Sequence, residues 1–410
     1  MIIGGGFAGV RVASDLISKP DSRLEVVLVS QSDAHVDYPL LYEVATAYLP
    51  RDSTMASEQI TATAEVPLSQ LFAGKQLRLI IKKVARLQIA QAHIVFDDDT
   101  TLDFDTLVIA VGTRLATFNI SGVTEHAFSI KTLAESLRLR HHIVRQFYQA
   151  KSLKRMERAS ALTFVVVGGG ASGVELAAEL VGQVRHQAVR HGIDAKDSGV
   201  ILLEAGPRIL SMVPKEAARR VTARLEQLGV SVRVNAKITA VTPTGMTLQG
   251  GKQVYARTPI WTAGLRPSEL VASSGLSIDR WGVVTNSDLT AQGAPNVLVV
   301  GDAAVISAIT PPLPATVPVA YTQAATAARN IRRRLNGERL LVYRYDAPGM
   351  VVTLGGKKAM LLLPGGKYFI GYMPWLVKQF ITLRYWSSVT TWRIAGSVWL
   401  RGWRLFGRND

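Results

Sequence analysis

Two glycine-rich motifs of the form G-x-G-x-x-G constrain this chain of 410 residues more than any other feature. The first motif follows the short apolar segment Met1 to Ile3, and the second follows the apolar segment Leu162 to Val167. In such a motif the first glycine permits a tight turn, the second lets a pyrophosphate approach the backbone, and the third lets the next helix pack on the strand. The helix N-terminus offers N–H groups and a positive dipole to the phosphates. One motif is weak evidence, but two of them between a strand and a helix predict two dinucleotide-binding units. The glycines concerned are Gly4, Gly6 and Gly9, and Gly168, Gly170 and Gly173.

The order of the predicted elements indicates the α/β class, with two Rossmann-type domains. Strand and helix patterns alternate, and a strand at Val297 to Val300 that leads into Gly301 returns the chain to the first unit. We therefore expect nested domains. The expected bounds are residues 1–113 and 288–335 for an FAD-binding domain, 114–287 for an NAD(H)-binding domain, and 336–410 for a C-terminal amphipathic helical region of membrane association or dimerisation.

An acid that binds ribose is expected at the end of the second strand of each unit. Glu204 has this position in the second unit, and its carboxylate favours NADH over NADPH because it would repel a 2′-phosphate. The alternative is a solvated acid at a strand end. In the first unit the position falls on Ser30, whose hydroxyl offers one weaker hydrogen bond.

The absence of cysteine limits the chemistry of the chain. It excludes disulfides, thiolate metal sites and redox-active cysteine pairs, so redox work falls to a bound cofactor. The histidine pairs His141 with His142 and His186 with His191 have no acid in a metal-ligand pattern, so no metal is expected. The N-terminal residues lack the pattern of a secretory signal, and a cytoplasmic location is expected.

The net charge of +16 is concentrated near the C-terminus. Residues 341–410 hold ten Lys or Arg against two Asp, together with five of the seven tryptophans. Tryptophan and arginine among aliphatic residues fit the headgroup zone of an anionic membrane better than nucleic acid. The alternative is a helix pair that covers a core or a dimer interface. The residues expected at the lipid interface are Trp375, Trp386, Trp392, Trp399 and Trp403, with Lys378, Arg384, Arg393, Arg401 and Arg404 on lipid phosphates.

Further motifs carry a family resemblance over residues 1 to about 360. They are the first glycine motif with Phe7, PLLYEVAT at 39–46, DTLVIAVG at 105–112, GASGVELA at 170–177, EAGPRIL at 204–210, WTAG at 261–264 and GD at 301–302. In combination these residues resemble type II NADH dehydrogenases, the single-subunit, non-proton-pumping NADH:quinone oxidoreductases among the pyridine nucleotide-disulfide oxidoreductase-like flavoproteins.

The resemblance implies FAD and NADH as cofactors, with hydride passing to flavin N5 and two electrons leaving to a quinone. It implies that Asp302 lies near the ribityl or phosphate part of FAD, and Val84 and Ala110 near its adenine half. It places Glu175 near the nicotinamide and the flavin, where it binds the nicotinamide or supplies a proton; the alternative is a first-turn acid that satisfies the helix dipole. It implies a prokaryotic protein, peripheral or monotopic on the cytoplasmic face of the membrane, with a homodimer as an expected assembly. Further contacts implied are Phe7, Ala8, Pro39, Leu40, Gly112 and Ala320 for FAD, and Ala171, Ala263 and Gly264 for NAD(H).

One segment departs from the family pattern. Where the family has Ala-Gln-x-Ala-x-Gln-Gln beside the flavin and the quinone, this chain has VPVAYTQ at 317–323, so only Ala320 and Gln323 match. Pro318 cannot donate a backbone N–H, and Tyr321 adds a ring at the expected quinone site. We expect Gln323 to be catalytic and Tyr321 and Gln323 to contact the quinone.

Two alternatives follow from this departure and from Ser30. One is a related NAD(P)H-dependent flavin reductase with a non-quinone acceptor. The other is a non-catalytic, membrane-attached flavoprotein that senses nicotinamide redox state. Sulfide:quinone oxidoreductase chemistry requires cysteines, which this chain lacks, so it is excluded.

Overall fold

The computed structural model describes residues 1–48, 54–346 and 349–407. Its helices are α1 (Phe7–Ile17), α2 (Leu41–Thr46), α3 (Thr54–Ala64), α4 (Leu68–Leu71), α5 (Val123–His126), α6 (Leu133–Ala150), α7 (Arg155–Ala161), α8 (Ala171–His191), α9 (Lys215–Leu228), α10 (Glu269–Ala272), α11 (Val317–Leu335), α12 (Tyr372–Val389) and α13 (Trp392–Phe406). Its strands are β1 (Ile2–Ile3), β2 (Val27–Ser30), β3 (Ala34–Val36), β4 (Glu65–Pro67), β5 (Arg78–Ile81), β6 (Val84–Gln88), β7 (His93–Phe96), β8 (Thr101–Asp103), β9 (Leu107–Ile109), β10 (Thr113–Leu115), β11 (Thr163–Val167), β12 (Gly199–Leu203), β13 (Val230–Arg233), β14 (Ile238–Thr242), β15 (Gly245–Leu248), β16 (Gln253–Tyr255), β17 (Thr258–Trp261), β18 (Leu265–Pro267), β19 (Val283–Thr285), β20 (Thr290–Ala291), β21 (Ala294–Val299), β22 (Ala304–Ile306), β23 (Met350–Thr353), β24 (Ala359–Leu362) and β25 (Tyr368–Gly371). The α/β class is confirmed.

The chain divides into two compact units, each built from three segments. The first unit consists of Met1–Val36, Glu65–Arg114 and Leu265–Ala347, and the second of Asp37–Ala64, Leu115–Gly264 and Pro348–Asp410. Judged by which segments pack together, the chain returns to the first unit at Leu265, and the C-terminal helices belong to the second unit. Which cofactor each domain binds, and hence the predicted domain bounds, stays a prediction.

The first unit is organised around an eight-stranded sheet in the order β22-β19-β20-β21-β9-β1-β2-β5. Strand β1 is only two residues long, yet it pairs in parallel with β2 on one side and with β9 on the other. Its isoleucines are almost completely buried, which suits a strand covered on both faces of a parallel sheet. The chain leaves β1 through the first glycine loop, residues 4–9, and enters α1, which packs on α11.

The second unit is organised around a parallel sheet in the order β13-β12-β11-β17. Strand β11 reads TFVVV and is buried over its last four residues, so it occupies the interior of this sheet. The second glycine loop, residues 168–173, joins β11 to the long helix α8, which ends at Gly192 in the left-handed conformation that favours glycine. Two antiparallel sheets, β14-β15-β16 and β23-β24-β25, complete the unit.

The C-terminal amphipathic region folds as the helix pair α12 and α13. Among the described residues, no helix has the length and apolar character that a membrane crossing requires. Two of the tryptophans expected at a lipid interface are instead in the protein interior, since Trp375 is 5% exposed and Trp386 is fully buried. Trp392 is 76% exposed, as expected for an interface residue. The prediction for Trp375 and Trp386 is therefore wrong, because both rings fill the space between these helices and the rest of the unit.

Candidate active site

The first glycine loop has the shape that a dinucleotide cradle requires. Gly4 has φ +116°, and a Cβ at this residue would lie 2.3 Å from the carbonyl oxygen of Ala110. A Cβ at Gly9 would lie 1.8 Å from the carbonyl oxygen of Gly4, so the helix packs directly on the turn. Gly6 is the N-cap of α1, no described side chain caps the helix there, and no described atom lies within 4 Å of where its Cβ would be. This open space at an uncapped helix start fits a pyrophosphate.

Two side chains support this loop from the next strands. A Cβ on Gly5 would lie 2.6 Å from the hydroxyl of Ser30, so Ser30 occupies the expected place at the end of β2. His35 places its Nδ1 2.9 Å from the carbonyl oxygen of Gly5, and its ring meets the Phe7 ring edge-on. Burial lowers the pKa of His35 to about 4, so the ring is neutral and its Nδ1–H donates to the carbonyl. The sequence analysis missed His35, since no motif marks it.

The segment that departs from the family pattern forms the start of α11. Pro318 lies in the first turn, where a missing N–H leaves no intrahelical hydrogen bond unmade. Gln323 is 1% exposed, and its Oε1 accepts a hydrogen bond of 2.7 Å from the N–H of Gly301. The guanidinium of Arg11 lies 4.2 Å from the centre of the Tyr321 ring. In the structure Gln323 thus fixes the turn that precedes Asp302, and its predicted catalytic and quinone-contact roles stay predictions.

The remaining residues expected around FAD lie in different places. Ala320 lies beside Gly301, and Val84 is in the hydrophobic core of the first unit. Gly112 has φ +63° in the turn after β9. Pro39 and Leu40 belong to the second unit, where Leu40 packs in a cluster with Phe406 of α13. The predicted FAD contacts of all five residues stay predictions.

The second glycine loop repeats the geometry of the first. Gly168 has φ +112°, and a Cβ there would lie 3.0 Å from Ala263. A Cβ at Gly173 would lie 1.9 Å from the carbonyl oxygen of Gly168, and space is open at Gly170, the N-cap of α8. The carboxylate of Glu204 accepts hydrogen bonds from the N–H of Gly169 at 2.7 Å and of Gly206 at 2.6 Å. The fold therefore brings Glu204 and Ala263 to the loop from two different strands, as a nicotinamide dinucleotide site requires.

A buried polar network begins at Glu175, one turn into α8. Its Oε1 accepts a hydrogen bond of 3.1 Å from the N–H of Thr353 in β23. The hydroxyl of Thr353 donates to the hydroxyl of Tyr42 at 2.9 Å, and Tyr42 donates to Oε1 of Glu43 at 3.0 Å. Lys378 of α12 donates to the same Oε1 of Glu43 and, at 2.6 Å, to the hydroxyl of Tyr42. Four elements, α2, α8, β23 and α12, thus meet at one network.

The network holds more acids than cations, and burial shifts their pKa values. Burial raises the pKa of Glu175 to about 7, although the Lys378 cation opposes the shift. Burial also raises the pKa of Asp37 to about 7. Burial alone would lower the pKa of Lys378, but Glu43 and the other carboxylates raise it, so the lysine stays charged. Near neutral pH the network therefore holds a charged lysine beside carboxyl groups that exchange protons.

The position of Lys378 corrects the sequence analysis. Lys378 was expected to contact lipid phosphates, but its side chain is only 12% exposed and forms an ion pair with Glu43. The expectation is wrong because the apolar pattern of α12 does not distinguish the side of the helix that faces a buried acid from the side that faces outward. Tyr42 and Glu43 lie inside the PLLYEVAT motif, which was the available indication of their importance.

A narrow cleft with a cavity volume of about 20 Å³ lies between α12 and α13 and is bordered by this network. Glu43 contributes to its lining, and Gln379 and Thr382 add polar groups. The rest of the lining is mainly aromatic, with Trp375, Trp386, Trp399, Trp403 and Phe406.

The fold and the two glycine loops define the class of protein, an α/β oxidoreductase with two dinucleotide-binding units. The sequence matches the pyridine nucleotide-disulphide oxidoreductase family over residues 1–324, and the chain belongs to this family. The predicted enzyme class, and FAD with a nicotinamide dinucleotide as its cofactors, are thereby confirmed.

Individual relatives confirm the predicted resemblance. The chain is 28% identical to the type II NADH:quinone oxidoreductase of Staphylococcus aureus (strain NCTC 8325 / PS 47) over 395 residues, which is 94% of each chain. Its fold is similar to that of NDH2 from Plasmodium falciparum in complex with NADH, with a TM-score of 0.86, 15% identity, and 99% and 98% of the two chains covered. It is also similar to the sulfide:quinone oxidoreductase of Aquifex aeolicus, with a TM-score of 0.77, 18% identity, and 96% and 92% covered. The similarities to these two solved structures extend to the fold alone.

Proposed function

We propose that this protein oxidises NADH and reduces a membrane quinone without pumping protons, with FAD in the first unit and NADH in the second. The observation that carries the proposal is the pair of open glycine loops, one in each unit, with an acid at the second. Similarity over 94% of the chain to an enzyme named type II NADH:quinone oxidoreductase supports the donor and the acceptor. When bound, a flavin would supply the redox chemistry that joins a hydride donor to a quinone.

The residues of the chain bind and orient the two dinucleotides. The uncapped N–H groups at the starts of α1 and α8 bind the pyrophosphates, and Ser30 and Glu204 bind the adenosine riboses. Asp302 follows Gly301, whose position Gln323 fixes through its hydrogen bond. The remaining contacts that we propose are Phe7, Ala8, Pro39, Leu40, Val84, Ala110, Gly112 and Ala320 for FAD, and Ala171, Glu175, Ala263 and Gly264 for NADH.

The buried network supplies the protons that quinone reduction consumes. With its pKa raised to about 7 by burial, Glu175 can release a proton and take up another near neutral pH. When Glu175 is protonated it can donate to the hydroxyl of Thr353, 3.4 Å away. Thr353 then donates to Tyr42, and Tyr42 donates to Glu43, which connects the two acids. Glu43 also lines the cleft between α12 and α13. Lys378 forms an ion pair with Glu43 and holds the network together.

The outer surface of the C-terminal helices supports attachment to a membrane surface. Met373 and Phe380 of α12 and Trp392 of α13 are 68%, 65% and 76% exposed. Arg393 and Arg401 are exposed on α13, where they can meet anionic headgroups. We place this surface at the cytoplasmic face of a prokaryotic membrane, as a peripheral protein that forms a homodimer.

Anaerobic stopped-flow mixing tests the proposed function. The FAD-loaded protein is mixed with NADH, and flavin absorbance is followed; a second mixing adds a soluble quinone. We expect bleaching by NADH and rapid, saturable reoxidation by the quinone. A flavin that NADH does not reduce would exclude the proposal. Reduction by NADH without reoxidation by any quinone would favour a flavin reductase with another acceptor, and a protein that takes up no FAD would favour a non-catalytic sensor.

Glu204→Gln is expected to relax the preference for NADH over NADPH. Glutamine keeps one acceptor oxygen, so it loses one of the two hydrogen bonds from Gly169 and Gly206, and it removes the negative charge that would face a 2′-phosphate. We expect kcat/KM for NADPH to rise roughly tenfold or more while that for NADH falls less, because a like-charge contact costs several kcal/mol. Steady-state kinetics with both donors measures the ratio. Glu226→Gln, on the exposed side of α9, is the matched control and should change neither value.

A further inference from the structure

Phe118 combines an exposed aromatic ring with an unfavourable backbone conformation. The ring is 62% exposed, and the residue has φ +52°. The next residue, Asn119, has φ +54°, so two consecutive non-glycine residues adopt the left-handed conformation. Such conformations are costly for residues with a Cβ and persist where surrounding contacts impose them. The contacts that hold Phe118 in this conformation come from a single turn.

That turn is residues 261–264, at the end of β17. The Phe118 ring lies where a Cβ on Gly264 would be, since its Cζ is 2.3 Å from that position. The indole N–H of Trp261 donates to the carbonyl oxygens of Ala116 and Ala263, each at 2.9 Å. The N–H of Ala116 donates to the carbonyl oxygen of Gly264 at 3.3 Å. The segment that carries Phe118 is therefore held to the turn by two hydrogen bonds, one at each backbone polar group of Ala116.

The same turn is part of the second dinucleotide cradle. Thr262 donates its hydroxyl hydrogen to the carbonyl oxygen of Val167 at 2.8 Å, and Ala263 lies against Gly168. In the sheet order β13-β12-β11-β17, Glu204 follows β12 on one side of β11, and the turn follows β17 on the other. A dinucleotide bound at the point where the strand order reverses has its adenosine on the β12 side and its other half on the β17 side. Phe118 therefore stands at the nicotinamide half.

We infer that the exposed face of Phe118 contacts the nicotinamide half of the bound dinucleotide and contributes to its affinity. The inference rests on the proposed binding of NADH in the second unit. An aromatic ring presented on a rigid turn offers apolar surface to the nicotinamide ring. The adenosine and the pyrophosphate would be bound elsewhere, at Glu204 and at the start of α8, so they would not depend on Phe118.

Comparison of NADH with ADP-ribose, which lacks the nicotinamide, tests this assignment. Phe118→Gly removes the ring and keeps the backbone, because glycine accepts the left-handed conformation without strain. We expect this variant to bind NADH about tenfold more weakly, within the range of aromatic contacts, and to bind ADP-ribose within about twofold of the wild type. Phe118→Tyr keeps an aromatic ring, and this variant should bind NADH with the affinity of the wild type. Asn119→Gly, which relieves strain and retains the ring, should bind both ligands like the wild type.

The outcomes separate this inference from the proposed function. Equal NADH affinity in the wild type and in Phe118→Gly, with flavin still reduced by NADH, would overturn the role of Phe118 alone. Equal weakening of NADH and ADP-ribose would show that the ring only shapes the turn, and would also overturn it. A wild-type protein that binds neither ligand would overturn both the proposed function and the inference. Anaerobic calorimetric titration of the FAD-loaded protein, with its flavin reduced beforehand so that NADH is not consumed, measures these affinities.

Discussion

Lys378→Met is expected to lower the free energy of unfolding by about 3 kcal/mol, because it leaves buried carboxylates without their cation. The side chains of Lys378 and Glu43 are each 12% exposed, so water cannot replace the lost partner well. The loss should be largest above pH 7, where Glu175 is also ionised, and smaller at pH 5, where protonation neutralises it. We also expect slower quinone reduction, because the network proposed to supply protons loses the positive charge of Lys378. Urea unfolding at both pH values, with quinone turnover at pH 7, measures these effects.

Two further variants test whether the charge of Lys378 is responsible. Lys367→Met removes an exposed lysine, and it should change the unfolding free energy by no more than about 0.5 kcal/mol. The double variant Lys378→Met with Glu43→Gln removes both members of the ion pair, and it should recover much of the lost stability. An unchanged urea midpoint in Lys378→Met would show that the ion pair does not stabilise the fold. A double variant no more stable than the single one would assign the loss to packing of the lysine side chain.

The glycine loops could be predicted from the sequence because their information is local. Each loop requires glycine at fixed spacing between a strand and a helix, and the structure shows the reason, since a Cβ at Gly4, Gly9 or Gly173 would overlap a backbone oxygen. Glu204 is also predictable, because its place at the end of the second strand follows from the order of the elements. These features depend on segments a few tens of residues long.

The buried network could not be predicted, because its members are distant in the chain. Lys378 and Glu43 are separated by 335 residues, and Thr353 and Glu175 by 178. In sequence, a lysine among aromatic and aliphatic residues is equally consistent with a lipid surface and with a buried acid. The same ambiguity affects Trp375 and Trp386, which have the composition of an interface but are buried in the structure. Only the folded chain shows which residues of α12 face inward.

Glu175→Gln is expected to remove a pH dependence of both stability and turnover. Burial raises the pKa of Glu175 from 4.5 to about 7, so between these values the folded state binds a proton that the unfolded state has released. The stability of the wild type should therefore fall as pH rises through this window, by about 3 kcal/mol from this residue alone. Glutamine still accepts from Thr353 but does not ionise. The variant should match the wild type near pH 4 and exceed it above pH 7.

Turnover should fall with rising pH as stability does, because the proton that Glu175 loses is the one proposed to reach the quinone. In the wild type we expect kcat for quinone reduction to fall above about pH 7, and in Glu175→Gln to be low and flat across that range. Burial also raises the pKa of Asp37 to about 7, so Asp37→Asn is the matched control and should retain the inflection. An inflection that survives in Glu175→Gln and disappears in Asp37→Asn would transfer the proton-supplying role to Asp37. The pH profiles of the two variants thus identify the titrating acid. The acid that delivers the proton is the one whose substitution removes the fall of both stability and turnover in the same pH window.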